Sequence, residues 1–562
     1  MESSPQQPAS PGIAPDRPLT TIVNMIERAG DLFGDREAFR SLGSSLSYRE
    51  LLVQAGSVTS WLQQTGLRKG DRVAIMMPNL LPYPVCLYGA LLGGYVVVSV
   101  NPLYTARELA FQLTDSGARA LFVLEPFAQV AAQALKDVPV PHVVVVATGD
   151  LLGAKGYVVN FVTRHLKRTV PAWNIPSHVP FPQVLRAGRT RLRAPVSVGE
   201  DDIAFLQYTG GTTGVAKGAV ILHRNVIAHT MQLTGLLEPA LGRDPDGIRV
   251  LTALPMYHAA AMLTQVLVVP PYGGCCILIA NPRDLDGLVK ALARERFTSM
   301  GGVNTLYRAL LDHPKIGTVD FTRCRLFGAG AMATQKTVSD RWQALTGRRL
   351  IEGYGMTETA GLCTCNPIDL ESFNGSVGVA TPGTEISIRD ERGNVVPAGE
   401  PGEICVRGPQ VMAGYWNRPD ETAKAMTADG FLRTGDGGSV DENGFVRLHD
   451  RIKDMIVVSG FNVYPNEVEA VLAAHPQIVE AAVVGIEDPH SGEAVAASIV
   501  RRDPALTEEA VIEHCRQNLT AYKCPKRIAF VGELPKSVVG KILRRAVRDQ
   551  WKASAAVKQC RA

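Results

Sequence analysis

The chain has 562 residues, 46% of them hydrophobic and 20% charged, the profile of a globular protein with several domains and sizeable cores. Lys plus Arg number 58 against 54 Asp plus Glu, so the formal charge of +4 gives no electrostatic case for a nucleic-acid partner. Ten scattered cysteines form no C-x-x-C pair, which argues against zinc and dithiol redox motifs; with no signal peptide, reduced thiols in a cytoplasmic protein are expected.

Residues 1–18 hold five prolines with several Ser and Gln and read as a disordered arm. Short β-rich runs then recur between helical patterns: "RVAIMM" from Arg72, "RALFVL" from Arg119, "VVVVA" from Val143 and "CILIA" from Cys276. That alternation predicts α/β architecture with mainly parallel sheets. Two apolar stretches, Val85 to Val100 and Leu263 to Ala280, are too short or too broken by Pro and Gly to span a bilayer. They are expected as core elements, and peripheral membrane contact stays open.

Between the apolar runs "IAFLQ" and "AVIL" lies "TGGTTGVAK", Thr209 to Lys217, predicting strand–loop–strand. It fails the Walker A pattern, because the residue five on from Gly210 or Gly211 is Val215 or Ala216. The physics of a phosphate loop remains. Gly210, Gly211 and Gly214 let backbone N–H groups close on phosphate oxygens, Thr212 and Thr213 add hydroxyls, and Lys217 adds a cation.

Further on, "FGAGAMA" satisfies G-x-G-x-x-G/A through Gly328, Gly330 and Ala333, with Glu352 at the distance of a ribose-binding acid. Alone it would suggest a nicotinamide oxidoreductase, but it does not open a clean βαβ unit and equally suits a glycine-lined wall beside a flat ring. A third loop, "EGYGMTETAG", offers the aromatic Tyr354, the Thr357 hydroxyl and the Glu358 carboxylate, a ligand suited to magnesium. "LRTGDGGS" places Asp436 in a tight glycine turn, where its carboxylate could accept both ribose hydroxyls.

A boundary is expected near Leu448 to Gly460, dividing a large domain, 19–450, from a small α+β domain, 451–562. In the small domain "NEVEAVLAAH" puts Val468, Val471 and Leu472 on one helical face, "EAAVVGI" and "AVAASIV" read as strands, and "LTEEAVIEHCRQNL" opens a helix with two acids. "LPKSVVGKILRR" presents Lys541 just before a basic helix.

In this order, the segments resemble the adenylate-forming superfamily of acyl-CoA synthetases, luciferases and peptide-synthetase adenylation domains. The similarity is greatest to bacterial long-chain fatty-acid–CoA ligases and extends from about Pro18 to Asp549. It is carried by "MMPNLLPYPV", "VNPLYTARELAFQLTDSGA", "LQYTGGTTGVAKGA", "GPQVMAGYWNRP", "VSGFNVYPNEVE" and "LPKSVVGKILRR".

The resemblance implies a two-step ligase using ATP, magnesium and CoA, with a fatty acid or related carboxylic acid as substrate. The loop from Thr209 to Lys217 would embrace the β- and γ-phosphates. Gly328, Ala329 and Gly330 would line the adenine, with Tyr354 stacking on it and Gly355 beside it. Thr357 would contact the α-phosphate, Glu358 the magnesium, and Asp436 with Arg451 the ribose. Lys541 would be the catalytic lysine, Lys453 the hinge, and Gly460 part of the CoA channel. His258, Gly302, Val303, Gly355 and Met356 would border the acyl pocket.

Gly355, where acetate-type relatives resemble each other in having Trp, leaves room for a medium or long chain. "AAAM" after His258, "TAGLCTC" after Glu358 and Gly437-Gly438 after Asp436 differ from the housekeeping enzymes, leaving branched, dicarboxylic or aryl acids open. So do carrier-protein loading in place of CoA transfer, a ligand-sensing pseudoenzyme, and a homodimeric state.

Overall fold

The computed structural model describes residues 18–209, 216–242, 247–459, 461–488, 490–537 and 540–559. The expected arm up to residue 17, and Gly210, Gly211, Thr212, Thr213, Gly214 and Gly460, lie outside the described residues.

Two large sheets dominate, and each is mainly parallel, as the strand–helix alternation predicts. One has eight strands around Arg72–Met76, Val96–Ser99 and Ala118–Leu124, which pair in parallel, with the antiparallel hairpin Ile203–Thr209 and Lys217–Leu222 towards one side. The other has nine strands, with Arg249–Thr252, Ser299–Gly302, Leu326–Ala329 and Leu350–Met356 running parallel side by side. Helix Pro82–Leu92 is buried at every residue, the signature of an element with no polar face. Burying each large apolar side chain there contributes on the order of 2 kcal/mol. The stretch from Val85 to Val100 is thus core, and none of the described helices is long and apolar enough to cross a membrane.

A four-stranded antiparallel sheet, including Leu432–Val440 and Val446–Arg451, follows in the chain. The last sheet has five strands, from Ile456–Val458 to Arg527–Phe530. Residue 450, after which the boundary is expected, lies in strand Val446–Arg451, which a short 3-10 turn, Ile452–Asp454, follows. Helix Pro465–Ala474 buries Val468 and Leu472, and Thr507 caps helix Glu508–Asn518, whose first turn holds both acids against the helix dipole.

Three local expectations are corrected. Asp436 sits inside the nine-residue strand Leu432–Val440, not in a tight turn. The glycines around it serve a left-handed residue at Gly435 (φ +71°) and a register shift between Gly437 and Gly438. "EGYGM" is likewise strand, with only Thr357–Thr359 forming a 3-10 turn. Finally, Leu326–Ala329, helix Lys336–Thr346 and Leu350–Met356 do form a βαβ unit. Its helix starts beyond Ala333, and Glu352 is buried against Arg349 at 2.6 Å and Asn366 at 2.9 Å, so that acid is structural rather than a ribose ligand.

Candidate active site

The site forms where strand ends of three sheets converge. Thr209 and Lys217 are partners across the hairpin whose tip is the glycine-rich loop. Gly302 and Ala329 end adjacent parallel strands, and the Gly330 N–H donates to the Gly302 carbonyl at 3.3 Å. Met356 ends the next strand, handing Thr357 and Glu358 to the 3-10 turn.

Hydrogen bonds tie these ends to the other sheets. The Tyr354 hydroxyl donates to Asp436 Oδ2 at 2.7 Å, and Arg451 Nε meets Asp436 Oδ1 at 2.9 Å. Strand pairing sets Arg451 directly opposite Asp436. The Tyr415 hydroxyl donates to Glu358 Oε1 at 2.8 Å, and the Met412 N–H donates to the Glu358 carbonyl at the same distance. Lys217 pairs with Glu421 and lies 5.2 Å from the centroid of the Tyr415 ring. Tyr415 was not singled out by sequence, because a tyrosine in "AGYWNRP" carries no spacing signal.

The electrostatics are uneven. Burial raises the Glu358 carboxyl above its ordinary 4.5, with the Tyr415 hydrogen bond partly offsetting it. The Lys541 side chain stays water-accessible inside the cleft. The protein mass around it, then the Arg451 charge, hold its pKa below the ordinary 10.5, while Asp436 opposes that shift. His258 is pushed below 6.5 by burial and then by Lys541, and its Nδ1 accepts from the Ala260 N–H at 3.3 Å. Lys541 is therefore within electrostatic reach of Asp436, Arg451 and His258. The Thr305 hydroxyl, donating to the Gly540 carbonyl at 3.3 Å, holds it there.

An apolar cavity of about 170 Å³ opens beside His258. His258, Gly302, Gly328, Gly330, Gly355 and Thr357 line it together with Leu237, Leu241 and Ile248. A Cβ on Gly355 would collide with the Gly361 carbonyl oxygen, so the backbone approach there requires glycine. Two expected residues are placed differently. Val303 packs with Leu254 and Ala261 rather than lining the cavity, and Tyr354 is buried against Cys363, Ile388 and Ile404 with its hydroxyl on Asp436.

Among the described residues no three His, Cys, Asp or Glu side chains cluster as a metal cage. A lone buried carboxylate such as Glu358 fits magnesium, which keeps several waters and binds through one or two carboxylates plus phosphates.

The profile of the AMP-binding enzyme family matches residues 26–416, and that of the AMP-binding enzyme C-terminal domain matches residues 467–541. The chain is 48% identical to a long-chain-fatty-acid–CoA ligase of Yersinia pestis, over 96% of this chain and 95% of that protein. Among solved structures it is similar to ATP-bound MatB from Rhodopseudomonas palustris, at 30% identity and a TM-score of 0.78, covering 94% of this chain and 99% of that one. It is also similar to the anthranilate CoA ligase AuaEII in complex with anthranoyl-AMP, at 25% identity and a TM-score of 0.85, covering 96% and 99%.

Proposed function

The chain belongs to the AMP-binding enzyme family, and from that premise we propose that it is an ATP-dependent long-chain fatty acid–CoA ligase. The observation that carries the reading is Lys541, within electrostatic reach of Asp436, Arg451 and of His258, which lines an apolar cavity.

The fatty carboxylate oxygen attacks the α-phosphorus of ATP, the bond to the bridging oxygen breaks, and pyrophosphate leaves with that electron pair. The CoA sulfur then attacks the acyl carbon, its C–O bond to AMP breaks, and the thiol proton passes to solvent. In the first step two anions must meet. Lys541 neutralises their repulsion. Thr357 donates to the α-phosphate, and Asp436, oriented by Tyr354 and Arg451, binds the ribose hydroxyls. Lys217 and the hairpin tip hold the outer phosphates. Glu358 holds magnesium, which supplies charge neutralisation on the phosphates. Gly328 to Gly330 line the adenine, and the cavity beyond Gly355 takes the chain.

Lys541 fills the path that CoA needs, so the C-terminal unit, residues 451–562, turns about Lys453 between the steps. The reading places the protein in the cytoplasm with peripheral membrane contact, supported by the exposed Tyr157, Val158 and Phe161 on one helix. Incubation with ATP, magnesium, CoA and a panel of fatty acids tests the function by following AMP and thioester. CoA-dependent acyl-CoA with stoichiometric AMP is expected. AMP formation independent of CoA would point to carrier loading, and no AMP would refute the reading.

A further inference from the structure

The acyl cavity is not uniformly apolar. Gln265, on the π-helical turn Met262–Val266, lines it and is only 7% exposed. Its Oε1 has no hydrogen-bond partner among the described residues. The other polar side chains of that wall are satisfied: the Thr264 hydroxyl donates to the Ala260 carbonyl, and the Tyr272 hydroxyl donates to the Thr234 carbonyl at 2.9 Å. Leaving a buried amide unpaired is costly, whereas a ligand oxygen that pairs with it recovers that cost.

The amide is also placed by design of the strand beneath it. Its Nε2 stands directly over Gly301, where any Cβ would collide with it. Alternation along Ser299–Gly302 puts Ser299 on the same face as Gly301, opposite Met300, which packs in the core with Phe327 and Trp342. Ser299 also lines the cavity, so a hydroxyl stands beside the Gln265 amide on that wall.

Resting on the ligase reading above, we propose that Gln265 is a specificity-determining residue, selecting acyl chains with a hydroxyl group in their carboxyl-proximal half. Parallel register sets Gly301 opposite Thr252, near the C-terminal strand ends that lead to Gly302 and His258, whereas Ile248 precedes Val250 at the opposite ends. The amide oxygen accepts, so it pairs with the O–H of a hydroxyl group. A plain chain leaves it unpaired. A site built to hydrogen-bond a substrate group discriminates against the analogue lacking it more sharply than a methylene-sized pocket can.

The test compares kcat/KM for hexadecanoic acid with its analogues hydroxylated near the carboxyl end, at mid-chain and at the terminal carbon, in the native enzyme and in Gln265→Leu. The native enzyme is expected to favour a proximal hydroxyl over a terminal one. The ratio of proximal-hydroxy to unsubstituted kcat/KM should fall roughly five- to tenfold in Gln265→Leu, the size of one neutral hydrogen bond. An unchanged ratio in the variant, or equal native preference for proximal and terminal hydroxyls, would overturn the inference while leaving the ligase reading intact. Should Gln265→Leu not fold, the native proximal-to-terminal comparison alone decides. Failure of every acid to yield AMP would instead remove the ligase reading.

Discussion

At the scale of single residues, the site pairs a carboxylate that resists ionisation with a lysine that resists protonation. Burial lifts Glu358 above 4.5. A proton there cancels the charge that magnesium requires, so adenylation should fall as pH drops through a value above the ordinary glutamate range. Pyrophosphate release measured in single turnovers should show that acid limb in the native enzyme. Glu358→Gln should lose about a hundredfold in rate and lose the limb with it. An unshifted limb in Glu358→Gln would assign the titration elsewhere. Glu358 was legible in the sequence through its place in "YGMTETAG", but its environment was not: Tyr415, which holds its Oε1, lies 57 residues away.

At the scale of elements, the strand–loop–strand around the phosphate loop and the helices of the C-terminal unit were legible because period and capping are local. Glycines misled where they serve packing. "TGDGG" reads as a turn, yet it is a bulged strand, since glycine suits a register shift as well as a reversal. Whether Val303 or Gln265 faces the cavity depends on which helix packs over Ser299–Gly302, a nonlocal fact invisible to spacing. The short turn Ile452–Asp454 joins two sheets and carries Lys453, the proposed pivot. Lys453→Pro fixes φ there and should slow thioester formation from premade acyl-AMP at least tenfold while leaving adenylation within a few-fold. Rapid-quench assays of each half-reaction measure this; equal effects on both would remove the pivot.

At the scale of the whole molecule, the proposed reading takes this arrangement as the adenylation state, with the Gly540 carbonyl held by Thr305. An ion-pair network fastens it: Arg544 meets Asp450 at 2.6 Å and Glu469 at 2.7 Å, and the Asn466 N–H donates to Asp450 at 2.7 Å. Burial raises Asp450 to about 6, with Arg544 opposing the shift. Asp450 lies before the pivot and Arg544 after it, so turning the C-terminal unit must break this latch. The family resemblance made the order of motifs legible from sequence and singled out Lys541, but the latch depends on residues brought together only by the fold. The central claim is that one lysine serves the first half-reaction and must leave for the second. The direct measurement is single-turnover kinetics of both half-reactions in Lys541→Ala. Adenylation should fall by a factor of about a hundred or more, while thioester formation from premade acyl-AMP stays within a few-fold of native; equal loss of both half-reactions, or of neither, would contradict it.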